Sequence, residues 1–455
     1  MGREKLKSRL GFILISAGCA IGIGNVWKFP YMAGENGRGI FVLFYLLFLL
    51  GMGVPALTVE FALGRAAGTS PAKLYQKLEK SGQKWHLHSY AAVIGNYLLM
   101  MFYTVVAGWM LNYFVFTACG TFEGLPAKGV GAVFEAMCQN PVAMTVYMGI
   151  TVAAGFLVCS LGVQNGLEKV SKVMMVALLA IMVVLAVNSV FMEGGREGLK
   201  FYLMPDTERL MEQGIVNVLV AAMNQAFFTL SIGMGSMAIF GSYIGRDRAL
   251  LGESVNVALL DTFVAIASGL IIFPACFAYN VDVGSGPSLV FVTLPNIFNN
   301  MPYGRIWGSL FFVFMTFAAF STVIAVFENI ISCTMDMFGI SRKKACVING
   351  ILIFVLSVPC ALGFNLWSSF EPLGQGTNIM DLEDFIVSNL ILPIGAICYI
   401  LFCTSRWGMG WDKFVDEANA GKGLKVAKWM KGYVSYVLPV IIFAIFIIGL
   451  VNYFK

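Results

Sequence analysis

Charged residues are scarce in this chain of 455 residues. Only 12% are Asp, Glu, Lys or Arg, whereas a typical soluble domain has about 25%. Hydrophobic residues make up 58% of the sequence, and the mean hydropathy is +0.80. These values exclude a soluble globular protein and predict an all-α polytopic membrane protein. The net charge of +5 does not indicate binding to nucleic acid, because the basic residues lie in loops between apolar segments.

The sequence also lacks the motifs of enzymes and of metal centres. Its two histidines and ten scattered cysteines form no CxxC motif and no Cys/His cluster, so neither a metal site nor a redox site is expected. Cys119 and Cys138 flank one outside loop; a disulfide is conceivable, but two free thiols are favoured. There is no G-x-x-x-x-G-K-[ST] loop for ATP, and no nucleophile–base pair. An enzyme is not expected, and any transport must draw on an ion gradient.

Apolar runs of about 20 residues, the length that crosses a bilayer, divide the chain into spans. There are eleven, with rough limits 10–34, 39–64, 88–119, 142–160, 167–191, 214–244, 250–279, 303–337, 343–362, 380–403 and 433–453. Most of the Lys and Arg residues fall in the loops on one side. The positive-inside rule then puts the N-terminus in the cytoplasm and Lys455 outside, in the plasma (inner) membrane.

The connections suggest how the spans are grouped. We expect a first unit at 1–192 (spans 1–5), an extracellular connection at 193–213, a second unit at 214–403 (spans 6–10), a cytoplasmic linker at 404–432, and span 11 at 433–455. Residues 284–302 contain three prolines and an apolar stretch too short to cross the membrane. This segment is predicted to fold back over the outside of the site.

Two glycine-rich stretches stand out inside apolar segments. Residues 18–25 read GCAIGIGN, and residues 231–236 read SIGMGS, so the second repeats the small-Ile-Gly-apolar-Gly-polar pattern of the first. Glycine in a helix interior costs about 1 kcal/mol relative to alanine. Paired Gly-interrupted segments at matching places in two halves indicate a transporter binding site built on broken helices. The alternative is helix packing, because Gly18 and Gly22 also form a GxxxG pair.

Polar residues within the spans are candidates for function. They are Asn25, Tyr103, Gln225, Thr229, Ser231, Asp261, Ser321 and Thr322. For the hydroxyl groups the alternative is a hydrogen bond to the carbonyl one turn back. Asp261 is harder to explain in that way, since no Lys or Arg lies near it in its own span, and a buried carboxylate needs a cation or a proton. Oxygen ligands suit a hard ion, and their low formal charge favours a monovalent one.

Several motifs together resemble one family, the neurotransmitter:sodium symporters. They are RLG at 9–11, GCAIGIGNVWKFP at 18–30, GENG at 34–37, PALTVEFALGR at 55–65, QAFFTLSIGMG at 225–235 and FAAFSTVIA at 317–325. The resemblance covers essentially the whole chain, and the number of eleven spans is similar to that of many bacterial members, which lack a twelfth. It implies the leucine-transporter (LeuT-type) fold: a 5+5 inverted repeat with broken helices in spans 1 and 6, plus one extra C-terminal span. It also implies sodium-coupled uptake of an amino acid or amine by alternating access.

The resemblance implies two sodium sites, and no organic cofactor is expected. The first would use Ala20, Asn25, Thr229, Asp261 and the substrate carboxylate. The second would use the carbonyls of Gly18, Ile21 and Ala318 and the hydroxyls of Ser321 and Thr322.

The resemblance also implies where the substrate binds. Its carboxylate would meet the amides from Gly22 to Gly24 and Tyr103, and its ammonium would meet the Ala20, Phe228 and Thr229 carbonyls and the Ser231 hydroxyl. The side-chain pocket would be formed by Ile23, Leu99, Tyr103, Phe228, Ser231, Met234, Thr322 and Val326. This pocket offers no charge, so a neutral hydrophobic amino acid is expected. Both aliphatic and aromatic substrates remain open, because Met234 is flexible enough to make room for a ring.

The gates implied by the family carry over with changes. Tyr103 and Phe228 would close the site from outside, with Lys28 and Asp384 paired above them through water or directly. The family usually has arginine at position 28, and lysine lacks its bidentate fork. On the inside, Arg3 and Asp336 would form a latch.

Two family features near the inner face are missing. No tryptophan lies near Leu6. The pattern that begins at Gly166 ends in Val176 instead of proline, so the resemblance does not extend to unwinding of span 5.

Asp261 leads to a prediction about anions. Animal members of the family need chloride, whose charge helps to balance the sodium ions, and a fixed carboxylate at 261 could replace it. Chloride-independent transport is therefore expected. The expected partners are an amino acid, Na⁺ and membrane lipid, without nucleic acid, and the chain is expected to be a monomer or a weak dimer. Alternatives are a sensor of the same fold that transports little, and a sodium channel.

Overall fold

The computed structural model describes residues 4–279, 281 and 287–453, which fold almost entirely into helices. Within these ranges, nine helical segments are long and apolar enough to cross a membrane. They are Gly39–Ala67, His86–Ala118, Pro141–Ser160, Val163–Val190, Leu250–Ala278, Gly304–Phe338, Arg342–Leu362, Ile379–Thr404 and Met430–Val451. They coincide with predicted spans 2–5 and 7–11 and differ by only a few residues at the ends.

The two glycine-rich spans are each divided. In span 1, Arg9–Ala20 and Gly24–Glu35 meet at a bend of 58°. In span 6, Ile215–Thr229 is followed by a turn and then by Ser236–Tyr243. Neither Ile215–Thr229 nor Ser236–Tyr243 reaches the length of about 20 residues that a helix needs to cross the bilayer alone.

The turn in span 6 depends on its glycines. Gly233 and Gly235 have φ of 106° and 76°, in the left-handed region that glycine tolerates and other residues rarely adopt. Ser231 also has a positive φ, 50°. Such a conformation in a non-glycine residue costs about 1–3 kcal/mol, and it commonly occurs at functional sites. The backbone is therefore held open at the place where the sequence repeats the span 1 pattern.

Wide π turns interrupt the long helices at Gly24–Lys28, Leu49–Gly53, Val163–Glu168, Leu289–Thr293, Ile386–Ile391 and Tyr433–Val437. All except the third are followed, two residues later, by a proline. In each of these five, the residue before the proline donates its N–H to the carbonyl five residues back. Proline has no N–H, and its ring clashes with the carbonyl four residues back. The turn therefore widens, and the side chains beyond it are rotated about the helix axis.

Glycines allow the helices to approach closely around the centre. A Cβ on Gly241 would lie 2.9 Å from the Cα of Phe61 in span 2, and one on Gly64 would lie 2.9 Å from the Cα of Ala238 in span 6. Span 8 (Gly304–Phe338) packs along span 3 and also contacts the first half of span 1. Both broken spans are thus surrounded by other helices. Their exposed backbone groups face protein instead of lipid, as a break at membrane depth requires.

Shorter helices connect the spans. They are Pro71–Leu78, Ala127–Cys138, Gly195–Leu203, Thr207–Gln213, Leu294–Asn300 and Trp411–Ala418. Pro287 lines a cavity on the outer side of the site, and Phe291 contacts the ring of Trp27 edge-on at 6.1 Å. The part of 284–302 that the structure describes therefore covers the site from outside, whereas residues 284–286 lie outside the described ranges.

The predicted linker 404–432 is partly helical and is anchored to the bundle. Glu417, on Trp411–Ala418, accepts a hydrogen bond of 2.6 Å from Arg65 Nε at the end of span 2. The side chain of Arg65 is 2% exposed and that of Glu417 is 10% exposed. Arg65 also donates to the carbonyl oxygens of Gly245, Arg248 and Glu417. This ion pair is buried, and it ties the linker to the first half of the chain.

Candidate functional site

Asp261 is fully buried between the two broken helices. Its carboxylate accepts hydrogen bonds from Asn25 Nδ2 at 2.7 Å and from Thr229 Oγ1 at 3.0 Å. Tyr45, in span 2, donates to the second carboxylate oxygen at 3.1 Å. None of these donors carries a charge, and within the described residues Asp261 forms no ion pair with Lys or Arg. The geometry leaves a negative charge that a bound cation would neutralise.

The residues predicted for a first sodium site are largely together. Asn25 and Thr229 both contact Asp261, and Ala20 lines the same central cavity as Asn25 and Thr229. Tyr45 was not among the predicted residues. A single tyrosine in an otherwise apolar span is more often a packing residue, so only its contact with Asp261 distinguishes it.

The five residues predicted for a second sodium site lie close together where span 1 meets span 8. Thr322 Oγ1 lies 3.2 Å from the carbonyl oxygen of Gly18 and 3.4 Å from that of Ile21. Ser321 Oγ lies 2.9 Å from the carbonyl oxygen of Ala318 and 3.5 Å from that of Ile21. Three carbonyl oxygens and two hydroxyls thus follow one another at hydrogen-bond distance, a donor set that suits a hard cation.

A central cavity lies between these two groups of oxygens. It measures about 20 Å³ and is lined by Cys19, Ala20, Gly22, Gly24, Asn25, Leu99, Tyr103, Phe228, Thr229, Ser231, Met234, Thr322, Val387 and Leu392. This volume accommodates about one water molecule, so a larger ligand would enter only with movement of the side chains. No charged side chain is among the residues that line the cavity.

Backbone groups of the break in span 1 are held by side chains around the cavity. The Gly22 amide donates to Asn25 Oδ1 at 3.2 Å, and the Ile23 amide donates to Tyr103 Oη at 3.1 Å. Gln225 donates to the Gly24 carbonyl at 3.1 Å, and Ser231 donates to the Cys19 carbonyl at 3.3 Å. A Cβ on Gly24 would lie 2.7 Å from the Phe228 ring. The break is therefore fixed in place by the residues that the sequence singled out.

Two residues of the predicted pocket do not line the central cavity. Ile23 lines the outer cavity, and Val326 is fully buried in span 8. Val387 and Leu392, from span 10, line it instead, together with Cys19. The π turn at Ile386–Ile391 rotates span 10 so that these two residues face the cavity. The prolines that follow such turns were the available signal in the sequence.

Above the central cavity lies a second, outer cavity of about 260 Å³. Tyr103 and Phe228 line both cavities and so separate them. Lys28 and Asp384 both line the outer cavity, but the direct ion pair between them is wrong for this structure. Lys28 Nζ lies 4.4 Å from the centre of the Phe228 ring, and Asp384 instead accepts from Ser388 Oγ at 2.7 Å. Lysine carries a single point charge, which here lies over the aromatic face.

The inner end of the site is covered by the residues before span 1. The Val163 and Gln164 amides donate to Glu4, and the Lys7 amide donates to Glu168 at 2.9 Å. Asp336 accepts from the Ser70 amide at 2.7 Å. Its predicted partner Arg3 lies outside the described residues.

Span 5 and the cysteines agree with the sequence. Span 5 forms one continuous helical segment, Val163–Val190, which contains Val176. All ten cysteines are free, including the exposed Cys119 and the buried Cys138, which confirms the prediction of two free thiols.

Comparisons with known proteins agree with this architecture. The sequence profile of the "Sodium:neurotransmitter symporter family" matches residues 3–123 and 130–455. A relative in Bacillus subtilis, named "Uncharacterized sodium-dependent transporter YhdH", is 34% identical, with 98% of each chain covered. The human "Sodium- and chloride-dependent taurine transporter" is 25% identical over 99% of this chain and 78% of its own length.

A solved structure is also similar. It is the crystal structure of MhsT in complex with L-phenylalanine, with a TM-score of 0.88 and 36% sequence identity, covering 98% of this chain and 99% of MhsT. The fold is therefore of the LeuT type, and the resemblance found in the motifs is confirmed. On these grounds the chain belongs to the sodium:neurotransmitter symporter family, and it is a sodium-dependent symporter of the membrane.

Proposed function

We propose that this symporter takes up a neutral, hydrophobic amino acid together with two sodium ions. The observation that carries the proposal is the uncharged central cavity, which adjoins the two groups of oxygen atoms. An amino acid brings its own carboxylate and ammonium. The amides and carbonyls of the broken spans can meet these charges, and uncharged walls suit an apolar side chain. The structural neighbour MhsT was crystallised with L-phenylalanine, which supports a substrate of this class.

In the proposed arrangement, the first sodium ion lies among Asn25, Thr229, Asp261 and the Ala20 carbonyl. Asp261 supplies the fixed negative charge, so transport does not require chloride. The second ion lies among the oxygens of Gly18, Ile21, Ala318, Ser321 and Thr322. It joins span 1 to span 8, because three of its ligands belong to one helix and two to the other.

The two cavities support alternating access as the transport mechanism. Tyr103 and Phe228 act as the outer gate, with Lys28 above them, and the segment before span 1 closes the inner side. Eleven crossings with the N-terminus in the cytoplasm, and inverted repeats at 1–192 and 214–403, are part of the proposal. The oxygens that surround sodium come from both halves of span 1, so binding of the ions favours a defined geometry of the break.

The proposal is tested with purified protein in liposomes. Labelled amino acids are offered under an inward Na⁺ gradient, with K⁺ replacing Na⁺ as the control. We expect Na⁺-dependent accumulation of hydrophobic amino acids, and no accumulation of glutamate or lysine. Binding without accumulation would support the sensor instead. Preferred uptake of a charged amino acid would contradict the proposed pocket.

A further inference from the structure

Span 10 contributes directly to the wall of the central cavity. Val387 and Leu392 line it, and they are 0% and 2% exposed. The sequence motifs placed the side-chain pocket on spans 1, 3, 6 and 8 only. The two residues of span 10 are thus an addition that neither the motifs nor the family profile assigns.

The π turn explains how two residues five positions apart share one wall. The Leu392 amide donates to the Val387 carbonyl, which is an i→i−5 hydrogen bond. In a regular α-helix, positions five apart would point about 140° away from each other. The wider turn reduces this angle, and Pro393 favours the wide turn because it cannot donate a hydrogen bond.

The backbone of span 10 lies directly against the break in span 6. A Cβ on Gly233 would lie 3.0 Å from the Cα of Leu392, and a Cβ on Gly395 would lie 3.0 Å from the Cα of Gly233. No side chain fits between these two segments. A movement of the span 10 backbone near Leu392 therefore moves the wall of the cavity, because no layer of side chains lies between the two segments.

Span 3 completes this end of the cavity. A Cβ on Gly95 would lie 2.7 Å from Ile391 of span 10 and 3.3 Å from the Met234 sulfur. Of the residues here, Met234 has a flexible side chain that adapts to different shapes. Val387 is β-branched and is stiff at χ1. Val387 therefore limits the size of the central cavity on this side, and the Met234 side chain adapts to the space that remains.

We propose that Val387 and Leu392 of span 10 set the upper size limit for the amino-acid side chain. This proposal rests on the proposed function, since it assumes that an amino acid occupies the central cavity. The chemical class of ligand is a neutral amino acid whose side chain extends toward span 10. Leucine-sized and ring-bearing side chains would be distinguished by their contacts with these two residues.

The experiment compares Val387→Ala with Val218→Ala in span 6. Both valines are fully buried, and the substitution is the same, but only Val387 lines the cavity. Competition of unlabelled leucine and tryptophan against a labelled hydrophobic substrate gives a ratio of inhibitory concentrations in proteoliposomes. We expect tryptophan to inhibit Val387→Ala about tenfold more strongly, relative to leucine, than it inhibits the unmodified protein. Tenfold is the scale of small volume changes in an apolar pocket. Val218→Ala should leave the ratio unchanged.

A second variant protects the test against misfolding. Leu392→Met keeps the volume nearly constant and is expected to fold, while it replaces a branched wall with a flexible one. Leu392→Met should bring the inhibitory concentrations of leucine and tryptophan closer together. An unchanged ratio in both span 10 variants, or an equal shift in Val218→Ala, would overturn the proposal. Failure of the unmodified protein to take up any neutral amino acid would instead overturn the proposed function.

Discussion

Asn25 Nδ2 lies 2.7 Å from Asp261 Oδ1, and this contact joins two positions that are 236 residues apart. Asn25 lies at the break in span 1, whereas Asp261 lies in the middle of an unbroken helix. The amide oxygen of Asn25 also accepts from the Gly22 amide. One side chain therefore links the carboxylate to the glycine-rich backbone, and its position depends on both.

We predict that Asp261 makes chloride unnecessary. Replacing chloride by gluconate should leave Na⁺-dependent uptake by the unmodified protein unchanged. In Asp261→Ser the fixed charge is absent, and uptake should then require chloride or need about tenfold more Na⁺, the scale of a lost charged contact. The measurement is uptake against Na⁺ concentration, with and without chloride. Loss of uptake by the unmodified protein when chloride is removed would contradict the prediction.

A second prediction concerns the hydroxyl of Thr322. In Thr322→Val the shape is nearly kept, but one oxygen near the Gly18 and Ile21 carbonyls is removed. The Na⁺ concentration at half-maximal uptake should rise by about tenfold, because a cation would lose one of its few ligands.

The matched control for Thr322 is Thr316→Val on the same helix. The Thr316 hydroxyl bonds the Phe312 carbonyl one turn back at 2.7 Å, so it is satisfied locally. Its replacement should leave the Na⁺ dependence unchanged. If Thr322→Val and Thr316→Val have the same Na⁺ dependence, the Thr322 hydroxyl has only a local role like that of Thr316, and the prediction is wrong.

The outer gate can be followed with a natural reporter. Cys19 lines the central cavity, and Tyr103 and Phe228 line both this cavity and the outer one. If these two side chains form the gate, their separation should expose Cys19 to the outside. In Phe228→Ala the wall between the cavities is thinner and the contact with Lys28 is lost. An impermeant thiol reagent added outside should therefore label Cys19 several-fold faster than in protein with Phe228 intact.

The labelling experiment requires a background without Cys119, which is exposed. Cys138 is also replaced by alanine, because it ends the helix Ala127–Cys138 on the same connection as Cys119. Adding Cys19→Ala identifies the signal, which should then disappear. Labelling that is equally fast with and without Phe228 would exclude this residue as the gate.

A fourth prediction concerns stability. Glu417→Ala should lower the free energy of unfolding by about 3–5 kcal/mol, since it leaves the buried charge of Arg65 without its ion-pair partner. Arg246→Ala removes another partner of Glu417, but the Arg246 side chain is 66% exposed. It should cost about 1 kcal/mol or less. Thermal unfolding in detergent measures both. Similar melting temperatures for the two variants would show that the buried pair contributes no more than the exposed one.

Much of the site follows from local sequence. The glycines at 18–24 and 233–235 indicated both breaks, and the isolated Asp261 indicated a site that needs a cation. The glycine-rich stretches and the isolated carboxylate can be recognised in the sequence because each is energetically costly inside a membrane. Ser321 and Thr322 could be assigned only through the family motif, since hydroxyls in a helix are common.

Other features depend on how distant helices are rotated against each other. Val387 lines the central cavity beside the wide turn in span 10, and no motif indicated it. Lys28 was predicted to pair with Asp384 through water or directly; both residues line the outer cavity, and Lys28 Nζ lies over the Phe228 ring. Periodicity shows which face of a helix is buried. It does not show which neighbouring helix that face contacts. A wide turn before a proline also rotates the residues beyond it, so that a different set of side chains faces the site.

The contact between Arg65 and Glu417 has a consequence for biosynthesis. The two residues are 352 positions apart, and ribosomes add about 5–20 residues per second. Roughly 20 to 70 s therefore pass between the synthesis of Arg65 and that of its partner. During this interval the end of span 2 that carries Arg65 must keep its arginine in contact with water or lipid head groups. A linker made late in synthesis thus completes one of the first-made helices.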